Sequence, residues 1–128
     1  MLVLLLSGTA VIAQGDPKRG LYVANAAGCI GCHTAETKDA VSYAGGRALK
    51  TPFGTFYGPN ITPHPDAGIG RWAEADLVRA VRLGERPDGA HYFPAFPYAS
   101  FSQMSDADLR DQKWLRKSEQ RDKWKLRA

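Results

Sequence analysis

Apolar residues recur at helical spacing in three stretches of the chain, and between them the pattern dissolves into glycine and proline. The first stretch opens on Asp16-Pro17, an aspartate cap followed by proline at the first helical position. Gly20, Leu21 and Ala24 then share a face, which predicts a helix from Pro17 to about Ala27. The second runs from about Trp72 to Leu83, with Ala73, Leu77, Ala80 and Val81 on one face and Gly84 placed to cap its C-terminus. The third opens at Ser105 with Asp108 three residues on, in capping-box fashion. Its stripe is Ala107, Leu109, Trp114 and Leu115, and it fails where Ser118, Glu119 and Asp122 fall on the same face. Residues 34–70 and 86–103 are rich in Gly and Pro and hold no period, so they read as long ordered loops. No run alternates with the period of a strand, and no segment repeats. The expectation is an all-α domain of three main helices, and loops of such length in a compact domain usually wrap something functional.

Composition narrows this. A chain of 128 residues, 44% hydrophobic and 23% charged, holds one ordinary domain with one core. Residues 1–13 form an uncharged apolar run too short to span a bilayer, and they resemble the central region of a secretory signal, with Val11 and Ala13 suited to cleavage. No Lys or Arg precedes Lys18, so either the true start lies upstream or the signal is a weak one. The expectation is a signal peptide or N-terminal anchor and export to the periplasm; the plainer alternative is a buried N-terminal helix.

The net charge of +4 is unevenly spread. Residues 1–109 carry 9 basic and 10 acidic side chains, whereas residues 110–128 carry 8 and 3. The excess positive charge therefore belongs to a short C-terminal tail, not to the body of the domain. No basic and aromatic residues interleave as a nucleic-acid-binding surface requires, so no nucleic-acid partner is expected.

Both cysteines fall in one unit, Cys29-Ile30-Gly31-Cys32-His33. This is the pattern of covalent haem attachment: two thiols reach the two porphyrin vinyl groups, and the next residue lies under the iron as its first axial ligand. A redox dithiol of the thioredoxin kind belongs to a βαβ context that is missing here. A structural zinc site needs two further ligands, and only His64 and His91, in Pro-rich loops, are on offer. A disulfide across two intervening residues makes a strained loop.

An electron-transferring haem calls for a sixth ligand. Met104 is the one methionine besides Met1, and it sits where a loop enters the third helix. A thioether there raises the reduction potential relative to a second histidine. The alternatives are a core gap-filler for Met104 and ligation by His91. Pro52 or Pro59 could offer a carbonyl to the second ring nitrogen of His33. Tyr57, Arg71 and Trp72 are candidates to meet the haem propionates, and Phe53, Leu77, Val81, Phe93, Phe96 and Tyr98 to wall the ring.

Longer motifs carry a resemblance. Ala27-Gly28-Cys29 through Thr34, Leu49 to Thr55 (Leu-Lys-Thr-Pro-Phe-Gly-Thr), Pro59-Asn60-Ile61-Thr62-Pro63, and Gly68-Ile69-Gly70 with Trp72 occur in order. Arg86-Pro87-Asp88-Gly89, Tyr92 to Tyr98 (Tyr-Phe-Pro-Ala-Phe-Pro-Tyr), and Phe101 with Met104-Ser105-Asp106 follow. Together they resemble the first haem domain of the multi-haem cytochrome c subunits that serve bacterial membrane-associated dehydrogenases of alcohols, sugar acids and N-heterocycles.

The resemblance covers residues 16–111. It implies the class I cytochrome c fold, with the N- and C-terminal helices crossing, and one haem c bound through Cys29 and Cys32. It also implies His33 and Met104 as the iron ligands. The implied role is transfer of single electrons from a dehydrogenase catalytic subunit towards a quinone site or a terminal oxidase, without catalysis of its own. The same setting allows association with a membrane. Two features depart from the family: there is a single Cys-x-x-Cys-His unit, and residues 112–128 form an atypical basic tail where an apolar helix and Pro-rich linker are expected. They predict a tail that is rebuilt or out of frame and that weakens the packing of the terminal helices. The alternatives are a vestigial cytochrome fragment with impaired haem binding, a Cys-x-x-Cys thiol redox protein, and a haem enzyme with an open sixth position.

Overall fold

The computed structural model describes residues 15–119, with side chains through Lys113. The expected leader, and the Trp114 and Leu115 side chains of the third stripe, lie outside the described residues. In chain order the elements are α1 (Pro17–Ala26), α2 (Cys29–His33), β1 (Ala48–Thr51), β2 (Gly54–Tyr57), α3 (Glu74–Leu83), a 3-10 turn (Tyr98–Phe101) and α4 (Asp106–Glu119). Among the described residues, no helix is long and apolar enough to cross a membrane.

The three expected main helices are α1, α3 and α4. Asp16 caps α1 by accepting from the backbone N–H of Lys18 at 2.9 Å, with Pro17 at the first position. The Ser105 hydroxyl caps α4, accepting from the Asp108 N–H at 3.1 Å and donating to its carboxylate at 2.7 Å. On α3 the Asp76 carboxylate reaches back to the Ala73 N–H at 2.9 Å, and Gly84 ends the helix at φ 68°. This helix begins at Glu74, so Trp72 and Ala73 precede it, and Ala73 is exposed while Leu77 and Ala80 are buried.

The most extensive helix contact joins α1 and α4. It depends on close backbone approach: a Cβ on Gly20 would stand 2.2 Å from the Asp111 carbonyl oxygen, so only glycine fits. The buried Asp111 carboxylate accepts from the Asp16 N–H at 2.8 Å and from Arg19 Nη1 at 2.5 Å, tying the start of α1 to the middle of α4. Leu109 is fully buried, but Ala107 faces solvent. Among the described side chains of α4, the buried ones are thus Leu109, Asp111 and Gln112, with Asp111 met by polar groups of the α1 end. The helix runs without a break through residues 111 and 112.

The all-α expectation needs correction. The Gly- and Pro-rich stretch contains an antiparallel hairpin in which Ala48 faces Tyr57, Leu49 faces Phe56, Lys50 faces Thr55 and Thr51 faces Gly54. Thr51 Oγ1 accepts from the Phe53 N–H at 3.2 Å and donates to the Gly54 carbonyl at 2.8 Å, closing the turn. Strands of four residues are too short to show an alternation in sequence, and this pair is specified by its turn and by what it packs against. Helix α2 and the 3-10 turn are likewise too short to register as periodic.

Candidate haem-binding site

Helix α2 spans the Cys-x-x-Cys-His unit, so Cys29, Cys32 and His33 fall on one face at spacings of three and four. Gly28 starts it in the left-handed conformation at φ 69°. The end of β2 holds it from behind: a Cβ on Gly58 would fall 1.8 Å from the Cys32 carbonyl oxygen. The carbonyl of His33 accepts from the Gly45 N–H at 2.8 Å, and Thr34 Oγ1 accepts from the Tyr43 N–H at 3.0 Å.

Of the two prolines considered, Pro59 supplies the carbonyl. His33 Nδ1 lies 2.8 Å from the Pro59 oxygen, whereas Pro52 sits exposed in the hairpin turn. A carbonyl can only accept, so the proton resides on Nδ1 and Nε2 carries the lone pair that a metal takes. Pro59 is in turn held by its neighbours. Asn60 Oδ1 accepts from the Thr62 N–H at 2.8 Å and from its hydroxyl at 2.6 Å, and the Thr62 side chain is buried. The Ile61 N–H donates to the Tyr43 carbonyl at 2.9 Å.

A second group of residues comes from α3, the segment Tyr92–Phe101 and Met104. Gly84 allows Tyr98 to pack directly under the end of α3. Phe93 stacks on Phe56 of β2 with ring centroids 4.2 Å apart, and Phe96 lies 6.0 Å from Phe101. Met104 follows the 3-10 turn: its N–H donates to the Phe101 carbonyl at 3.0 Å and its carbonyl accepts from Arg82 Nε at 2.8 Å.

One cleft joins the two walls. It encloses roughly 1040 Å³ of space, part of it open to solvent, and Cys29, Cys32, His33 and Met104 all line it. The remaining lining is mostly apolar, from Leu49, Phe56, Ile61, Ile69, Trp72, Leu77, Ala80, Val81, Phe93, Phe96 and Phe101. Two thiols, an imidazole with a fixed tautomer and a thioether, lining one apolar cleft, suit a planar iron porphyrin.

Of the expected ring walls, Leu77, Val81, Phe93 and Phe96 line the cleft, while Phe53 and Tyr98 do not. Phe53 is 82% exposed, edge-on to Phe93 at 6.0 Å. Of the expected propionate partners, Tyr57 and Trp72 line the cleft; Arg71 instead pairs with Asp66 at 2.8 Å on the surface. His64 accepts from the Asp66 and Ala67 N–H groups at 3.1 and 3.0 Å and serves its own turn. His91 is exposed in a bridge with Glu85. Among the described residues no cluster of three or more His, Cys, Asp or Glu side chains could hold a metal ion.

Sequence reasoning missed Tyr92 and Gln112. Tyr92 lines the cleft, and burial raises its hydroxyl pKa. The density of aromatics in residues 92–101 was the available signal. Gln112 is 2% exposed and lines the cleft from α4, and nothing in its local sequence pointed there.

No protein-family model matches the chain. It is 52% identical over 92 residues to a subunit of the nicotinate dehydrogenase of Pseudomonas putida, a match covering 72% of this chain and 8% of that protein. It is 46% identical over 110 residues to the cytochrome c subunit of the quinone alcohol dehydrogenase of Gluconacetobacter polyoxogenes, covering 82% of this chain and 23% of the relative. A dihaem c-type cytochrome of Cereibacter sphaeroides is 43% identical over 102 residues, 77% of this chain and 34% of its own. The chain thus spans about a third or less of the length of these relatives. Over more than two thirds of its own length the chain is thus homologous to a segment of cytochrome c subunits of bacterial dehydrogenases and of a dihaem c-type cytochrome.

Proposed function

We propose that this domain binds one haem c through thioethers from Cys29 and Cys32, with His33 and Met104 as axial ligands. It passes single electrons from a dehydrogenase catalytic subunit towards a quinone site or terminal oxidase in the periplasm. The observation that carries this reading is the convergence of both thiols, the His33 imidazole and the Met104 thioether on one apolar cleft. A haem bound there supplies a one-electron iron couple.

The chain's own residues do the rest. Pro59 keeps the His33 proton on Nδ1 and fixes the ring's orientation. Leu77, Val81, Phe93 and Phe96 give the cleft an apolar lining, which limits reorganisation when charge changes. A thioether opposite the imidazole favours the reduced iron relative to a second histidine. Similarity to dehydrogenase cytochrome subunits supports the donor; the apolar run at residues 1–13 supports export.

The test is an absorption spectrum of protein made in a periplasm with cytochrome c maturation, oxidised and reduced, followed by acid-acetone extraction. Colour that stays with the protein and a sulfur-to-iron charge-transfer band in the oxidised form are expected. Colourless protein would overturn the reading in favour of a vestigial fragment, and extractable haem would exclude covalent attachment.

A further inference from the structure

The two axial candidates are anchored differently. His33 is held through its ring, but Met104 has three rotatable bonds and its placement depends on the backbone that carries it. That backbone lies between the 3-10 turn and α4, where Ser102, Gln103 and Ser105 are all exposed. Among the described residues, the Arg82 side chain reaches it from another element. Arg82, in the last turn of α3, donates from both Nε, at 2.8 Å, and Nη2 to the Met104 carbonyl oxygen. The same Nη2 lies 2.6 Å from Asp106 Oδ1, and the Arg82 side chain is 25% exposed. Leu77, Ala80 and Val81 of that helix line the cleft, so one rigid element carries both the wall and the clamp.

We infer that Arg82 is the positioning residue for Met104: its guanidinium fork fixes the carbonyl of the residue whose thioether faces the haem. The inference rests on Met104 being the axial ligand. A charged, forked donor suits the task, because two N–H groups converging on one carbonyl resist rotation of the peptide, which a single point donor does not. With the clamp removed, the loop opens more often and the thioether leaves the iron for a larger fraction of the time.

The experiment uses holo-protein of the full chain and titrates exogenous imidazole into the oxidised form. Imidazole takes the sixth position only when the native ligand has left it, so its apparent affinity reports the open population. Arg82→Gln is expected to bind imidazole about tenfold more tightly, the scale of a lost charged hydrogen bond, and to show a weaker sulfur-to-iron band. Arg82→Lys is expected to lie between it and wild type. Asp106→Asn, which leaves both donors to Met104 in place, is expected to match wild type.

A merely structural role would lower the thermal midpoint of Arg82→Gln and leave band and imidazole affinity at wild-type values; that result overturns the inference. Tightening by Asp106→Asn equal to that by Arg82→Gln overturns it too, assigning the effect to the ion pair. Should Arg82→Gln yield no holo-protein, Arg82→Lys decides, and wild-type behaviour there is again fatal. Met104→Ala separates the two readings. If it retains the band, the ligand assignment fails; if it loses the band while Arg82→Gln and Arg82→Lys keep it, only the clamp fails.

Discussion

The wall that carries His33 and the wall that carries Met104 are built from different materials. Behind His33 the constraints are supplied by backbone groups: Gly58 against the Cys32 carbonyl, the Gly45 N–H on the His33 carbonyl, and the Pro59 carbonyl on the imidazole. The backbone groups among these are uncharged, and at Gly58 there is no space for a side chain, since a Cβ there would stand 1.8 Å from the Cys32 carbonyl oxygen. Behind Met104 the constraints are charged side chains, with Arg82 on the Met104 carbonyl and Arg82 paired with Asp106. Such contacts can open without unpacking the core. The comparison assigns permanence to one side of the cleft and adjustability to the other, which suits a fixed imidazole and an exchangeable thioether.

The comparison breaks most completely at the attachment motif. Replacing Cys29 and Cys32 together by Ala, or His33 by Ala, is expected to abolish haem-containing protein, read by the absorption of the purified variant before acid-acetone extraction. Stable pigment in the double Cys variant would show that the cleft holds haem without thioethers.

Next in size is Gly58→Ala. The added methyl must displace the Cys32 backbone, not a movable side chain, so a loss of roughly 3 kcal/mol or more is expected in denaturant unfolding. Asn60→Ala removes the acceptor of both Thr62 donors, one of them on a buried side chain, and should cost about 2 kcal/mol. A smaller loss at Gly58 than at Asn60 would contradict the rigid picture of the His33 wall.

How much of this was legible in the sequence follows the same division. The helices α1, α3 and α4 announced themselves through caps and period, since Asp16-Pro17, Gly84 and Ser105 act locally. The Cys-x-x-Cys-His unit is legible because all of its chemistry lies within five residues. The hairpin was not, because Leu49 and Phe56 are paired by a turn and Phe56 is covered by Phe93, a residue far along the chain. Phe53 and Tyr98 show the converse limit. Their composition suited a haem wall, yet one lies on the turn facing solvent and the other fills the space left by Gly84. Arg82 and Gln112 carry no local mark, since what matters is which loop or cleft their helix happens to face.

Met104→Ala sharpens the other side of the comparison. On the proposed ligation the variant is expected to keep its haem, because Cys29, Cys32 and His33 are unchanged, and its reduction potential is expected to fall by on the order of 100 mV, a fraction of the roughly 0.8 V that axial ligands span. Voltammetry of the purified variant checks it. An unchanged potential would remove Met104 from the site and leave the sixth position open.

The smallest effect tests whether the Met104 side responds to pH through charge, and Asp108 is the group to watch. Its carboxylate accepts from the Ser105 hydroxyl, the larger influence, and pairs with Arg19, and together these hold its pKa below the usual carboxylate range. A carboxyl whose folded pKa is depressed adds stability above its unfolded value, near 4, and loses that contribution as pH falls through the lower folded value. Asp108→Asn imitates the protonated form, so it should cost at most about 1 kcal/mol at pH 7 for so accessible a pair. The gap between variant and wild type should then close below pH 4, as the native carboxyl takes up its proton. Denaturant midpoints of the two proteins across that range decide it. A gap of constant size would mean that Asp108 acts through its shape at the start of α4 and not through its charge.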